Sequence, residues 1–363
     1  MHDIAIVGAG INGCSVAYEL TQRGKNVIVF DKDAIASGGS GAAGAFISPK
    51  FSKSGELKEL IHDAFLYSMD YYEKNFSNFL TKTTLIHIAQ DEKSSEILKA
   101  YKQQTSLKLK TTTFQTSQES ISLDSGIVDA KGVCEAMLKD ATFIKDEVVS
   151  LEFKDDFWLI NGSYKAKKVI LSTGAYKMIL DEPYIKLRGV WGHRIDVKTI
   201  TKNQHSLHQF VSISPSCDGV LAIGATHNVH YHPDTATKPY DIDEGRAELL
   251  QKASRTLKLE NVEVINDYMG LRSGSFDYIP VVGRIVISKE SLKLPERKLK
   301  TKKPNFEDYT YYENLYMING NGGYGFVLAP YLAKKLCDEI LDITKVDARL
   351  SPARFFSRWA KKF

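Results

Sequence analysis

Three glycines near the N-terminus, Gly8, Gly10 and Gly13, constrain the fold of this chain more than any other feature. They lie between the apolar, β-branched run DIAIV and a segment with helical spacing that stops at Gly24. In a strand–turn–helix, the first glycine allows a tight turn, the second lets backbone approach a pyrophosphate, and the third lets helix and strand pack closely. The unpaired N–H groups at the helix N-terminus then favour an anion. The segment therefore predicts a dinucleotide site.

An acidic residue supports this prediction. Asp31 ends the next buried strand, NVIVFD, about 20 residues after the motif, where a carboxylate can accept hydrogen bonds from ribose hydroxyls. A glycine-rich turn without a ligand would not account for this acid. A run of small residues, ASGGSGAAGA, follows the strand directly, and a second Gly-rich strand–helix segment, MINGNGGYGF, comes near the other end of the chain. Such distant segments suit an extended FAD better than a nicotinamide cofactor.

Composition excludes several classes of protein. The 363 residues are 43% hydrophobic and 25% charged, which is typical of a globular protein with room for two domains. The longest apolar runs have the length of strands, so no transmembrane span is expected, and the first residues lack the basic region of a signal peptide. The four cysteines are far apart in sequence and form no CxxC pair, which favours a reducing, cytoplasmic location over a disulfide framework or a zinc site.

Positive charge is concentrated in two segments, Lys289–Lys303 and Arg349–Phe363, although the net charge is only +4. They are either solvated surface or a footprint for a polyanion such as RNA, and composition alone leaves both interpretations open. The first segment is also the best candidate for a loop or an insertion.

The pattern along the chain predicts a mixed α/β (α+β) fold of two domains. One is a Rossmann-like FAD-binding domain, and the other contains strands at hairpin spacing that predict an antiparallel sheet for the substrate. The predicted boundaries are 1–80, 126–183 and 266–345 for the discontinuous FAD-binding domain, 81–125 and 184–265 for the substrate domain, and 346–363 for a basic C-terminal tail.

Four segments carry a resemblance to a known family over nearly the whole chain. They are the N-terminal fingerprint IVGAGINGCSVAYEL, the strand VILSTGA, the signature GLRSGSFDYIPVVG and the glycine turn GNGGYGFVLAP. With these, the chain resembles the D-amino-acid-oxidase/glycine-oxidase group of FAD enzymes. Within the group, ASGGSGAAGAFISPKFS and the closing LSPARFFSRWAKK are similar to segments of the FAD-dependent oxidoreductase domain of the bifunctional, tRNA-modifying MnmC family. The run GAAGAF is also similar to the glycine oxidases.

Two departures from the resemblance bear on function. The group often has Arg-Gly-Gln where this chain has Arg188, Gly189 and Val190, so a role of that glutamine in the pocket is absent. The bifunctional proteins also carry a methyltransferase domain, whereas this chain starts at the flavin domain. We therefore expect either a stand-alone version or an excised piece, with a separate methyltransferase as a candidate partner.

The resemblance implies a role for Arg272, which lies in an apolar stretch: it would hold the carboxylate of the substrate through two parallel hydrogen bonds. The structural alternative is an ion pair with Asp277. Three histidines, at 227, 230 and 232, invite a metal site, but the oxidation of an amine by a flavin needs no metal, and we predict none. Trp191, Tyr231, Tyr240 and Tyr324 are candidates for the substrate pocket, with core packing as the alternative.

The FAD-binding residues that the motif and the resemblance imply form four groups along the chain. They are Gly8, Ala9, Gly10, Ile11, Asn12 and Gly13; Asp31, Lys32, Ser37, Gly38, Gly44, Ala45 and Phe46; Val148, Val149, Thr173 and Gly174; and Gly283, Gly320, Asn321, Gly322, Gly323, Tyr324 and Gly325.

The activity that the resemblance implies is oxidation of a CH–NH group by FAD. The expected substrate is 5-carboxymethylaminomethyl-(2-thio)uridine at the tRNA wobble position, which would lose its carboxymethyl group as glyoxylate and leave the aminomethyl-uridine. The two basic segments would bind the tRNA. The alternatives are a free amino-acid oxidase or dehydrogenase acting on glycine, sarcosine or a D-amino acid, and a flavin-containing RNA-binding protein without turnover.

Overall fold

The strands of the molecule form two sheets, which the helices cover from outside. The computed structural model describes residues 1–111, 114, 116–176 and 179–363. The strands are β1 (His2–Val7), β2 (Val27–Asp31), β3 (Phe46–Ile47), β4 (Leu80–Ile88), β5 (Leu109–Lys110), β6 (Ser120–Val128), β7 (Thr142–Lys145), β8 (Leu151–Lys154), β9 (Phe157–Ile160), β10 (Tyr164–Leu171), β11 (Leu187–Lys198), β12 (Ser206–His208), β13 (Ser212–Ile213), β14 (Val220–Gly224), β15 (Glu263–Ser275), β16 (Val281–Val286) and β17 (Tyr311–Asn319). The helices are α1 (Ile11–Thr21), α2 (Glu56–Asn75), α3 (Glu92–Gln104), α4 (Ala130–Met137), α5 (Ile242–Ser254), α6 (Ser288–Ser291), α7 (Glu296–Leu299), α8 (Gly325–Ile340) and α9 (Ala353–Ala360).

The first sheet has the order β16-β17-β10-β1-β2-β7, and β17, β10, β1, β2 and β7 run parallel. Its central strands are buried on both faces, as a parallel sheet requires. Ile6 and Val29 face the core beneath α1, α2, α4 and α8, and Phe30 packs with Trp158 on the other face. Because parallel strands end at one edge, the turns after β1, β2, β10 and β17 meet there, and that edge is where such sheets bind ligands.

The second sheet has the order β15-β11-β14-β13-β12-β4-β6-β3, with β5 on β6. Its strands pair antiparallel except for β12 and β4. β11 and β15 pair over almost their full length, so that Val190 lies opposite Arg272 and Gly192 opposite Gly270. α5 packs on the outer face through Leu249.

The predicted fold class is confirmed, and the domain boundaries stay a prediction. β15 lies in the second sheet, although its residues from 266 onward fall in the segment assigned to the first domain. Residues 112, 113 and 115 of segment 81–125, and residues 177 and 178 of segment 126–183, lie outside the described part of the chain.

The two basic segments are more ordered than their composition indicates. Lys289–Lys303, the predicted loop, contains the short helices α6 and α7. The predicted tail contains α9, which packs against β16 and buries Phe355, Phe356 and Arg354. Sequence composition did not indicate this because the buried side chains of Phe355 and Phe356 and the ion pair of Arg354 with Asp277, not the lysines, hold the segment in place.

Candidate active site

The glycine motif that joins β1 to α1 has no space for side chains at two positions, Gly8 in the connecting turn and Gly13 in the first turn of the helix. Gly8 has φ +106°, and a Cβ there would lie 2.5 Å from the carbonyl oxygen of Ser172. A Cβ at Gly13 would lie 1.9 Å from the carbonyl oxygen of Gly8. Gly13 therefore allows helix and strand to pack closely, as predicted, while Gly10 and Ile11 line the cavity described below.

Asp31 ends β2 beside this turn. One of its carboxylate oxygens accepts a hydrogen bond from the backbone N–H of Ala9 at 2.8 Å. The other accepts one from the N–H of Asp33 at 3.1 Å and lies 3.4 Å from the hydroxyl of Ser37. The carboxylate is thus fixed at the cavity wall with acceptor capacity left for hydroxyl groups. Ala9 is fully buried, so its role is to orient Asp31.

The small-residue run crosses the edge of both sheets. Ser40 accepts a hydrogen bond from the first N–H of α1, on Ile11, at 2.9 Å. At Gly39 a Cβ would lie 2.6 Å from the carbonyl oxygen of Leu271 on β15. This close approach places the small-residue run against β15, the strand that contains Arg272.

The second glycine turn faces the same space from the end of β17. The side-chain amide of Asn321 donates to Asn12 at 2.7 Å, which connects this turn to the first one. The Asn321 Oδ1 atom is buried and accepts no hydrogen bond from the described residues. Side chains at Gly322 and Gly323 would meet open space, and α8 starts at Gly325. Helix N-terminus, free acceptor and open backbone suit a flat polar group such as a flavin ring.

Arg272 lies in the wall of the second sheet. Its guanidinium is largely buried, and burial lowers its pKa, although an arginine stays charged in a protein. It donates one hydrogen bond, to the backbone carbonyl of Thr226, and no carboxylate among the described residues pairs with it. Gly192 makes room for it, since a Cβ there would lie 2.2 Å from Nη2. A buried cation without an anion is costly, so this position is suited to an anionic ligand.

The structural alternative for Arg272 is wrong. Asp277 pairs with Arg354 of α9, whose Nε and Nη2 atoms each lie 3.0 Å from its carboxylate oxygens, and with Arg358 at 3.0 Å. Burial would raise the pKa of the Asp277 carboxyl, but the hydrogen bonds and charges of the two arginines outweigh burial and lower it. The carboxylate of Asp277 is therefore paired with the arginines of α9 and not with Arg272.

These features surround one cavity of about 1170 Å³ between the two sheets. Pockets for drug-sized ligands usually span roughly 300–1,000 Å³, so this one has room for a dinucleotide together with a small substrate. The first glycine turn and Asp31 fit the pyrophosphate and ribose of FAD, and the second turn fits the flavin. Arg272 lies close to the second glycine turn. Gly274, two residues after it on β15, forms an isolated β-bridge with Asn321 of that turn.

The family that the sequence matches agrees with this arrangement. The model of the family "FAD dependent oxidoreductase" (DAO) matches residues 3–339. The chain belongs to this family. As a DAO-family protein it is an oxidoreductase and uses FAD, so the predicted cofactor and enzyme class are confirmed.

Curated relatives of this DAO protein are named tRNA 5-methylaminomethyl-2-thiouridine biosynthesis bifunctional protein MnmC. The protein of Legionella pneumophila strain Philadelphia 1 is 24% identical over 97% of this chain and 57% of its own length. That of Leptospira interrogans is 25% identical over 99% of this chain and 61% of its own length. The chain thus spans about three-fifths of the length of these relatives.

Solved structures with the same fold include two oxidases. Glycine oxidase from Geobacillus kaustophilus has a TM-score of 0.76 at 20% identity, over 97% of this chain and 98% of that one. Iminodiacetate oxidase from a Chelativorans species has a TM-score of 0.74 at 18% identity, over 96% and 98%. At these identities the likeness concerns the fold.

The cavity brings together most of the predicted FAD-binding residues of this DAO protein. Those that line it are Gly8, Gly10, Ile11, Asn12, Asp31, Lys32, Ser37, Gly38, Gly44, Ala45, Phe46, Val148, Thr173, Gly174, Asn321, Gly322, Gly323, Tyr324 and Gly325.

The remaining predicted cofactor residues lie behind or away from the wall. Ala9 and Gly13 support the first turn, and Gly320 packs against Ser275. Val149 is 71% exposed, and its N–H bonds to Asn161. Gly283, a residue of β16, faces Glu339 and Pro352. The structure does not bring these last two residues to the cavity.

Of the four aromatic pocket candidates, only Tyr324 lines the cavity. Trp191, Tyr231 and Tyr240 pack against one another, with ring centroids 5.0 to 5.9 Å apart. Tyr240 hydrogen-bonds the side chain of Thr226, whose carbonyl holds Arg272, so it stands one layer behind the cation.

Several cavity residues escaped the sequence analysis. His208 and Ser212 line the wall from β12 and β13, and the Nε2 atom of His208 is buried without a hydrogen-bond partner among the described residues. Gly192 and Tyr176 also line it. For the strand residues His208, Ser212 and Gly192, alternation along the strands is a signal, but it does not reveal the strand order that brings them together.

The described residues contain neither a metal cluster nor a helix that could span a membrane. No group of three His, Cys, Asp or Glu side chains there could hold a metal ion; His232 lines the cavity instead. Among the helices of that same part of the chain, none combines the length and apolar character needed to cross a bilayer. The cytoplasmic location stays a prediction.

Proposed function

We propose that this protein removes the carboxymethyl group from 5-carboxymethylaminomethyl-(2-thio)uridine at the wobble position of tRNA. The products are glyoxylate and the aminomethyl-uridine. The names of the curated relatives support a substrate in the biosynthesis of 5-methylaminomethyl-2-thiouridine. A separate methyltransferase, acting on the aminomethyl product, is the candidate partner.

The observation that carries the proposal is the unpaired guanidinium of Arg272 in the cavity wall. The carboxymethylamino arm of the substrate ends in a carboxylate, which a guanidinium can hold through two parallel hydrogen bonds. The contact orients the arm as well as binding it. It would hold the methylene next to the amine at the flavin end of the cavity, which the turn around Asn321 marks.

The reaction requires little beyond this positioning. FAD, when bound, accepts a hydride from the methylene carbon. The amine nitrogen loses its proton, so that a C=N bond forms, and water then adds to that carbon and the C–N bond breaks, giving glyoxylate and the primary amine. The chain's own contribution is to fix the C–H bond in one orientation, which can account for a large part of the rate enhancement.

Free cations support an RNA substrate. In the segment Lys289–Lys303, no carboxylate within the described residues pairs with Lys289, Arg297, Lys302 or Lys303. The C-terminal segment contributes less, because Arg349, Arg354 and Arg358 all pair with carboxylates. Contacts to the RNA backbone would therefore come mainly from the first segment.

A second candidate function is oxidation of a free amino acid such as glycine or sarcosine. The fold of glycine oxidase and iminodiacetate oxidase favours it, and it would use the same Arg272.

Anaerobic reduction of the bound flavin separates the two candidates. We expect tRNA that carries the carboxymethylaminomethyl group to bleach the flavin absorption with a kcat/KM at least about a hundredfold above that of free glycine or sarcosine. Release of glyoxylate in equal amount to the reduced flavin would identify the bond that breaks. Bleaching by glycine as efficient as by tRNA would contradict the proposal.

Variants of Arg272 test the carboxylate contact. Loss of one partner of a buried charge pair costs about 2–5 kcal/mol, so Arg272→Ala should lower kcat/KM by about a hundredfold or more. Arg272→Lys should recover part of this, since it keeps the charge without the planar fork. Arg255→Ala, at an exposed arginine outside both basic segments, is the control. An Arg272→Ala variant with wild-type flavin reduction would rule out the contact.

A further inference from the structure

The turn between β15 and β16 exposes two aromatic side chains close to the active site. Phe276 and Tyr278 are each 61% exposed. Among the described residues Phe276 takes part in no ring contact, and Tyr278 has one, with the guanidinium of Arg188, which lies 5.1 Å from its ring centroid. Two neighbouring aromatic side chains without an apolar partner are unusual on a protein surface and often mark a binding site.

This turn is held firmly, so the exposure does not come from a loose loop. Asp277, between the two aromatics, accepts hydrogen bonds from the hydroxyl of Ser275 at 3.2 Å and the N–H of Ile279 at 3.3 Å. Arg354 clamps the same carboxylate and also donates to the carbonyl of Ile279 at 2.6 Å. The aromatic rings are therefore presented on a backbone fixed from inside, which reduces the entropic cost of binding.

The turn continues the wall of the active site. It follows Arg272 and Ser273 on β15, both of which line the cavity. Arg188, on β11, lies opposite Gly274, and its Nε atom is buried without a hydrogen-bond partner in the described part of the chain. Burial, together with the charges of Arg272 and Arg188, lowers the pKa of the nearby His227. The rim beside Arg272 is thus aromatic and cationic.

We propose that Phe276, Tyr278 and Arg188 form a stacking site for the nucleotides that flank the modified uridine in a single-stranded RNA loop; this rests on the proposed function. Proteins that bind unpaired RNA stack its bases on aromatic rings and guanidinium planes. A uridine whose arm reaches Arg272 leaves its neighbours in the loop at the rim of the cavity. The positive charge of Arg188 also suits the phosphates between them.

The test compares two substrates with the same reactive arm, the modified nucleoside alone and an anticodon stem–loop that contains it. In the variant F276S/Y278N, asparagine accommodates the positive φ of +63° at position 278. Since stacking of one base contributes a factor of about ten or more, the ratio of kcat/KM for the stem–loop to that for the nucleoside should fall about tenfold or more. The Kd of the stem–loop should rise by a similar factor.

Matched variants separate stacking from a general surface effect. F276Y/Y278F keeps both rings and should restore the ratio. Ile343→Ser, at another exposed apolar residue, should leave the ratio unchanged. The single variant Phe276→Ser repeats the test at the position without ring contacts, and FAD content and circular dichroism establish that each variant is folded.

The outcomes distinguish this inference from the function on which it rests. If the wild type oxidises both substrates and F276S/Y278N keeps the ratio, the stacking site is refuted and the proposed function stands. If neither substrate reduces the flavin, both are refuted. If the ratio is kept but the variant loses a dimer that the wild type forms, the rim is an interface with a second copy and the inference is wrong.

Discussion

At the scale of single residues, the site depends on what surrounds Arg272 rather than on the arginine alone. Its guanidinium lies over Gly192, and its contact is the carbonyl of Thr226, whose hydroxyl in turn accepts from the N–H of His193 at 3.0 Å. His193 is held by Asp267 at 2.9 Å. The guanidinium of Arg272 is therefore fixed by Gly192, by the carbonyl of Thr226 and by the hydrogen bonds behind that carbonyl. Its remaining N–H groups are left for a ligand.

The first prediction concerns Gly192. In Gly192→Ala the new methyl group would lie 2.2 Å from Nη2, so the guanidinium has to move. Displacement of a positioning group by about 1 Å can cost about a hundredfold in rate, and we expect a loss of that order in kcat/KM with FAD binding retained. Flavin reduction and the visible spectrum measure the two effects. Gly274→Ala is the control, because its methyl group would find its nearest neighbour at 3.8 Å.

At the scale of elements, the sequence predicts best where the determinants are local. The segment EKSSEILKAYKQQ, which has helical spacing, forms α3 residue for residue, and Asp91 and Ser94 form a capping box at its start. In contrast, β6 was missed: its serines and Asp124 obscure the alternation, and Ser125 is buried only because its hydroxyl donates to the carbonyl of Ile47 in a distant segment. Docking of α9 depends on Asp277, again a nonlocal contact.

The second prediction concerns this docking of α9. The Arg354 and Asp277 side chains are 8% and 18% exposed, whereas Arg358 is 64% exposed. Removing one partner of a buried ion pair costs about 3–5 kcal/mol, so Arg354→Ala should lower the free energy of unfolding by that amount. Arg358→Ala should cost less than about 1 kcal/mol. Urea denaturation of both variants measures the difference. Equal losses of free energy of unfolding would contradict the dominant role of the pair between Arg354 and Asp277.

The third prediction is a pH dependence from two neighbouring strands. His87 on β4 lies opposite His208 on β12. Burial lowers the pKa of His87 to about 4, and burial together with the charge of His87 lowers that of His208 to about 3. Below the ordinary pKa of about 6.5 the unfolded chain therefore binds protons that the folded chain does not, and stability falls.

This loss should begin near pH 6.5 and continue down to the folded pKa values, at about 1.4 kcal/mol per pH unit for each histidine. Above pH 7 the two histidines do not make the free energy of unfolding depend on pH, because they are neutral in both the folded and the unfolded chain. Urea denaturation between pH 8 and pH 5 tests this, and H87Q/H208Q should lose most of the slope. A double variant that keeps the full slope would assign the pH dependence to other groups.

At the scale of the whole molecule, the candidate active site exists only because the two sheets meet. The dinucleotide turn and Asp31 could be predicted from sequence, since a motif of six residues and one strand define them. Arg272 followed from resemblance. The wall from Gly192 through Ser212 to His208 could not be predicted, because it depends on the order of β11, β14, β13 and β12 in the sheet. Substrate choice is a property at this scale too, since it combines the cavity with surface charge outside its lining.

The last prediction uses that surface charge to separate an RNA substrate from a free amino acid. If the protein neutralises RNA phosphates, log kcat/KM for tRNA should fall linearly with log salt concentration, with a slope of about −0.7 to −0.9 for each contact. Small substrates, whose carboxylate meets the buried Arg272, should respond far less.

In the variant K302Q/K303Q, which removes two cations without carboxylate partners within the described chain, the slope should become shallower by about one to two. K293Q/K300Q is the matched control, because both lysines already pair with glutamates, at 2.5 and 2.9 Å, and should change the slope less. A tRNA reaction that is insensitive to salt would leave the basic segment as ordinary solvated surface and would favour oxidation of a free amino acid.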